Sequence, residues 1–327
     1  MRNSNFGIRD KSSMCAANLP GIAIIGPTGS GKSSLGLALA ARYHGEIVSC
    51  DALQVYRGMD IGTAKPTGLQ RELVPHHMLD LRNPGEDYSA GDYQRDARAA
   101  LERISRAGHI PFVVGGTGFY LRALIDGFFA GPSRSDSIRK RLQKIAGKGK
   151  ARLLHKALSR IDPESAGRIE KADAARMIRA YEVYLLTGKP MSWWQRQPRN
   201  ALQGYRWLKL GISHPRALLY QRIDKRVEEM FAAGFVEEVR GLIEKYPRHC
   251  HAFKAIGYRQ IADHLDARVT LAQAIESAQQ ESRRYAKRQL TWFRSDPGIV
   301  WLDGSVSEEQ LQNQAGQMLD SFLQNVE

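Results

Sequence analysis

Gly26-Pro27-Thr28-Gly29-Ser30-Gly31-Lys32-Ser33 is the stretch that decides the fold. It fits GxxxxGK(S/T), a pattern met by chance in about 1 in 100 chains of this length at average composition. Before it, Ile22-Ala23-Ile24-Ile25 reads as a buried strand. After it, Ser34-Leu35-Gly36-Leu37-Ala38-Leu39-Ala40 reads as a helix. Strand, glycine turn and helix in that order make a phosphate cradle. The glycines let successive backbone N–H groups point inward, and the helix N-terminus adds its positive dipole end. Lys32 supplies a mobile cation for terminal phosphate oxygens, and the Ser33 hydroxyl can reach a Mg2+ ion. Residues Gly26, Pro27, Thr28, Gly29, Ser30, Gly31, Lys32 and Ser33 are therefore expected to bind a di- or triphosphate. The loop does not say which one.

Outward from the loop, apolar runs at 46–49, 110–114, 207–210 and 299–302 read as further strands. Residues 92–107 read as a helix with Tyr93, Ala97, Leu101 and Ile104 on one face. This alternation predicts an α/β fold, a P-loop NTPase-like core with a parallel sheet, and ligands at the carboxyl ends of its strands. The second strand runs into Cys50-Asp51. Asp51 is a candidate metal ligand or general base, and Cys50 reads as a small apolar filler. The third strand ends in Gly115-Gly116-Thr117-Gly118, with no acid where ATP-using P-loop enzymes hold Mg2+. His76-His77 has no partner ligand near in sequence and reads as structural.

Residues 132–199 break the rhythm. They hold no strand candidate and carry 17 Lys and Arg against 6 Asp and Glu, so most of the chain's +14 surplus falls in about a fifth of its length. This predicts a basic helical insertion, in which Trp193-Trp194 packs internally. The expected organisation of the 327 residues is a disordered leader over 1–19, with Met14 as an alternative start, a core over 20–131 and 200–327, and the insertion between. A long helix is expected over 271–294. Its end interleaves cations with aromatics, and Arg284, Lys287 and Arg288 share a face.

The remaining composition excludes several classes. Hydrophobic residues make up 43% and charged residues 25%, as in a folded soluble protein. Apolar runs fall far short of the roughly 20 residues that span a bilayer. Three cysteines without a CxxC pair argue against a disulfide framework or a zinc site of common spacing. A cytoplasmic protein is expected.

Together the pieces resemble the tRNA dimethylallyltransferases, also called tRNA isopentenyltransferases, in their compact bacterial form. The matching blocks are the glycine loop, then Asp51-Ala52-Leu53-Gln54-Val55-Tyr56-Arg57-Gly58-Met59-Asp60-Ile61-Gly62-Thr63-Ala64-Lys65-Pro66 and Pro75-His76-His77. Gly115-Gly116-Thr117-Gly118-Phe119-Tyr120, Ile256-Gly257-Tyr258-Arg259-Gln260 and Lys287-Arg288-Gln289-Leu290-Thr291-Trp292-Phe293-Arg294 follow. The resemblance runs from about Ile22 to Arg294. It implies transfer of a dimethylallyl group from dimethylallyl diphosphate to N6 of adenosine 37, beside the tRNA anticodon. Asp51 is then the general base, while Lys32, Arg222 and Thr28 meet the diphosphate, with Mg2+ at Ser33. The resemblance also implies tRNA contacts at Asp51, Ala52, Leu53, Gln54, Thr117 and Arg139, and at Ala175, Arg176, Met177, Ile178 and Arg179. Further contacts are implied at Lys254, Ala255, Ile256, Gly257, Tyr258 and Arg259, and at Lys287, Arg288, Gln289, Leu290, Thr291, Trp292, Phe293 and Arg294. The insertion would clamp the anticodon stem-loop, and the protein would act as a monomer. Ala52 departs from the family's usual Ser, and the zinc-finger cysteines of longer eukaryotic members are missing. An ATP-dependent kinase of a small molecule or nucleotide is the rival that shares the loop.

Overall fold

The computed structural model describes residues 18–147 and 151–324. The expected leader falls almost wholly outside them. One boundary is corrected: Leu19 belongs to the first strand, paired with Tyr205. The chain divides into two compact units, one of residues 1–125 and 202–327, the other of residues 126–201.

The larger unit is built on six parallel strands. They are β1 (Leu19–Ile25), β2 (Gly45–Cys50), β3 (His76–His77), β4 (Ile110–Gly115), β5 (Tyr205–Ser213) and β6 (Ile299–Asp303). Their order across the sheet is β3-β2-β4-β1-β5-β6. β1 is central, and Ile22, Ala23, Ile24 and Ile25 are all fully buried. That is why the strand reads as a continuous apolar run rather than an alternating one. Ile22 and Ile24 pack with Leu35 and Leu39 of helix Lys32–Arg42 and with Leu311 and Leu319 of helix Glu308–Gln324. Ala23 and Ile25 point to the other face, where Tyr93, Leu101 and Ile104 of helix Ala90–Arg106 cover them. His76-His77 forms one edge strand. His77 Nε2 meets Glu46, which also holds His109.

The carboxyl ends of β1, β4 and β2 lie side by side. With strands about 4.8 Å apart, the loops after β1 and β2 are about 10 Å from each other. The glycine turn after β4 sits between them. This places the loop carrying Asp51 near the loop carrying Lys32, although the two residues are 19 positions apart in sequence.

The second unit is helical, with Asp136–Ile145, Ala151–Ile161, Pro163–Arg168, Ala174–Thr187 and Met191–Gln195. Leu142, Leu154, Leu158, Ala166, Met177 and Ile178 form its core. Asp162 caps one helix by accepting from Ser165 N–H and ties down the next by accepting from Ser192 N–H, both at 3.0 Å. Trp194 stacks on Phe129 and its Nε1 donates to Thr187 Oγ1 at 3.1 Å, so it packs within the unit. Trp193, expected to pack internally with it, is instead exposed.

Candidate active site

Three carbonyls of the glycine loop are held by side-chain donors. Lys32 Nζ donates to Pro27 O at 3.2 Å, Arg222 Nε to Gly29 O at 2.9 Å, and His214 Nε2 to Ser30 O at 3.0 Å. A carbonyl is only an acceptor, so His214 carries its proton on Nε2. In a trans peptide the C=O and the next N–H point opposite ways, so fixing Ser30 O outward aims Gly31 N–H inward. Gly31 has φ +87°, a left-handed conformation that a glycine adopts without strain. The first-turn amides of helix Lys32–Arg42 add further donors without partners inside the helix.

Helix Arg216–Ala232 supplies the cations around this loop. Arg226 Nη1 donates to Thr28 Oγ1 at 2.8 Å. Burial and the neighbouring Arg226 charge lower the Lys32 ammonium to about 8, while Asp51 opposes the shift. Arg226 is itself pulled down by burial, and Asp51 and Glu229 hold it up. Asp51 is thus electrostatically in contact with both cations of the cradle.

One Asp51 carboxylate oxygen accepts from Leu53 N–H at 2.8 Å, which orients the group. Ala52 N–H donates to Thr117 Oγ1 at 3.2 Å, tying the loop after β2 to the turn after β4. The Ala52 methyl packs on the sheet's apolar cluster. Burial and the Asp51 charge push the Tyr285 phenol up to about 12. Burial pushes the Cys50 thiol up to about 12 as well, so it stays a thiol and serves as filler.

A cavity of about 480 Å3 joins these groups. Thr28, Lys32 and Ser33 line one part, Asp51, Gln54 and Thr117 another, and Ile223, Val227, Met230 and Phe231 form an apolar wall. Lys254, Ala255, Ile256, Gly257 and Arg288 lie on its rim or lining. A second cavity of about 620 Å3 meets the same Lys32, Ser33, Gln54 and Arg226, and adds Arg222, Lys225 and Glu229. The arrangement suits a molecule with an anionic end, an apolar body, and a reacting atom near a carboxylate.

The family model for IPP transferases matches residues 54–296. The chain belongs to the IPP transferase family. It is 48% identical over 296 residues to the tRNA dimethylallyltransferase of Koribacter versatilis, covering 90% of this chain and 96% of that one. It is 47% identical over 283 residues to that of Geobacillus thermodenitrificans, covering 86% and 90%. Among solved structures it is similar to the full-length tRNA isopentenylpyrophosphate transferase of Bacillus halodurans, with TM-score 0.71, 38% identity and coverage of 94% and 98%. It is also similar to a eukaryotic dimethylallyltransferase solved acting on tRNA, with TM-score 0.79, 29% identity and coverage of 94% and 80%.

Several IPP transferase positions expected to meet RNA are instead internal. Met177 and Ile178 are in the core of the helical unit, and Tyr258 and Phe293 are buried in the larger one. Their side chains are packing residues. Gln289 is buried and bonded to Thr28 and Gly116. The Gln54 amide is fully engaged: Ser49 Oγ donates to its oxygen at 2.7 Å, and its nitrogen donates to Thr63 O and Ala64 O. Arg139 and Arg179 both bind Glu182, which is fully buried. By contrast Ala175, Arg176, Lys254, Arg259, Lys287, Arg288, Thr291, Trp292 and Arg294 are exposed. Arg284, Lys287 and Arg288 line one groove, as their spacing predicts, together with Thr291 and Trp292.

Sequence reasoning missed Arg226, His214 and Glu238. Glu238 accepts from Asp60, Ile61 and Gly62 N–H and from Tyr258 OH, and so pins the loop after β2. The signal for Arg226 was its place one turn from Arg222 on a helix aimed at the loop. His214 and Glu238 carried no local signal, since each acts on a distant backbone.

Proposed function

We propose that the chain transfers the dimethylallyl group of dimethylallyl diphosphate to N6 of adenosine 37 next to the tRNA anticodon, in the cytoplasm. The observation that carries this reading is that Asp51 and Lys32 open on one cavity with an apolar wall. No helix among the described residues is long and apolar enough to cross a membrane.

The exocyclic amine of adenine is a weak nucleophile, because its lone pair is delocalised into the ring. As the N6–C1 bond forms, the C1–O bond breaks, the amine proton passes to Asp51, and the electron pair leaves with diphosphate. Charge then grows on the leaving oxygen. Lys32, Arg222, Arg226 and the loop amides meet it where it develops, with no reorganisation at the moment of reaction. The adenosine must leave its stack, at a cost of about a few kcal/mol. The exposed cations and Trp292 on helix Leu271–Phe293 supply phosphate contacts and a stacking surface. The basic helical unit, residues 126–201, holds the anticodon stem-loop through its phosphates.

Mg2+ fits the donors present. Ser33 is exposed at the first helical turn and faces both cavities. Hydroxyl and phosphate oxygens are the hard ligands this ion takes. No cluster of three His, Cys, Asp or Glu among the described residues could hold a metal, so the ion depends on the substrate's phosphates. Bound at Ser33, it would neutralise charge on the diphosphate.

Labelled dimethylallyl diphosphate and unmodified tRNA test the reading. Label should appear in RNA, and Asp51→Asn should lower the single-turnover rate by about 10²–10⁴ while tRNA still binds. ATP turnover without tRNA, and no label in RNA, would establish the kinase instead.

A further inference from the structure

Helix Leu271–Phe293 has two faces with different tasks. Lys287, Thr291 and Trp292 look outward over a groove. Gln289 looks inward and is 7% exposed. Its Oε1 accepts from Thr28 N–H at 2.9 Å, and its Nε2 donates to Gly116 O at 2.8 Å. One side-chain amide thus bolts the loop after β1 to the turn after β4, reaching 261 positions back to Thr28 and 173 back to Gly116. Gly116 makes the reach possible, because a side chain there would run into the Gln289 amide. Thr28 is held a second time through its hydroxyl by Arg226.

Building on the function argued above, we propose that Gln289 is a positioning residue of the diphosphate cradle, and that through it the RNA-facing helix and the glycine loop are held as one unit. Gln289 reaches Thr28 from a helix whose other face is built for RNA. Without the bolt the Thr28 peptide loses its backbone anchor and keeps only the hold of Arg226 on its side chain. Each neighbouring amide in the cradle then loses part of its aim, and the diphosphate loses charge-assisted bonds. The RNA face keeps its side chains, since both bonds of the Gln289 amide go to backbone groups of other loops.

The test uses full-length protein with inorganic pyrophosphate and unmodified tRNA as separate calorimetric ligands. Gln289→Met keeps the length and removes both bonds. It should weaken pyrophosphate about tenfold, the loss of roughly one hydrogen bond to a charged or buried group, and leave the tRNA Kd within about twofold. Lys287→Ala should show the reverse split. Gln289→Glu keeps the shape and the acceptor for Thr28, but cannot donate to Gly116 and adds negative charge. It should weaken pyrophosphate at least as much while its melting temperature stays close to the parent's. Loss of tRNA affinity alone, equal loss of both ligands, no change in either, or failure of both variants to fold overturns the proposal. Failure of the parent protein to label tRNA overturns the proposed function instead. It leaves the pyrophosphate result standing, because that binding is measured without turnover.

Discussion

Lys32 sets the pH behaviour of the cradle. Its ammonium, ordinarily near 10.5, is lowered to about 8 by burial and Arg226. Between those values the unfolded chain holds a proton that the folded chain has shed, so folding stability contributed by this group rises with pH from about 8 upward. Anion binding runs the other way, because it needs the charged form. Once pyrophosphate's own ionisation is allowed for, its affinity should fall as pH rises through about 8, with proton uptake by Lys32 on binding. Calorimetry in buffers of different ionisation enthalpy measures that uptake. Lys32→Ala should bind pyrophosphate weakly, show no such uptake, and keep its tRNA affinity; an unchanged proton uptake in that variant would assign the titration elsewhere. At this scale the loop was legible in sequence and its supports were not. Lys32 and Ser33 follow from the pattern itself, whereas His214 and Arg226 act through backbone and side chains nearly 200 positions away.

Helices explain why contiguous motifs misassign residues. Successive positions on a helix are rotated by about 100°, so a run of eight cannot all face one partner. Within 287–294, Lys287, Arg288, Thr291, Trp292 and Arg294 are exposed while Gln289 and Phe293 are buried. The run 175–179 divides the same way, with Arg176 outside and Met177 and Ile178 in the core. Helix Ala174–Thr187 also carries Glu182, whose carboxylate takes Arg139 at 2.9 and 3.0 Å, Arg179 at 2.7 Å, and Ser135 N–H at 2.6 Å. These four bonds hold its carboxyl below the usual range against the opposing effect of burial. Glu182→Ala should lower stability by about 3–5 kcal/mol, because it strands two partly buried guanidinium groups. Urea denaturation followed by circular dichroism measures it. A loss under about 1 kcal/mol would mean that the arginines find other partners or water at little cost.

Charge works at the level of the whole molecule. The surplus of +14 is concentrated in residues 132–199. Binding of tRNA should therefore weaken by about 10²–10³-fold between 50 and 200 mM salt, as phosphate contacts release counterions. Filter binding across that range measures the slope. A change of less than about threefold would show that few phosphates are neutralised. Pyrophosphate binding at the partly enclosed cradle should respond less, since buried charges are screened less than exposed ones.

The sequence by itself determined the class of fold, the glycine loop between its strand and helix, the helical character of the basic stretch and the family. Each of these rests on local spacing or composition, which a single chain displays directly. Only the tertiary structure decided which members of each motif reach the cavity and which hold it in place. That choice depends on strand order and on which side of a helix meets the sheet. It brings Asp51 alongside the loop across β4, turns Gln289 inward to Thr28, and commits Arg139 and Arg179 to Glu182. Such contacts join residues far apart in the chain, and no periodicity within either segment records them.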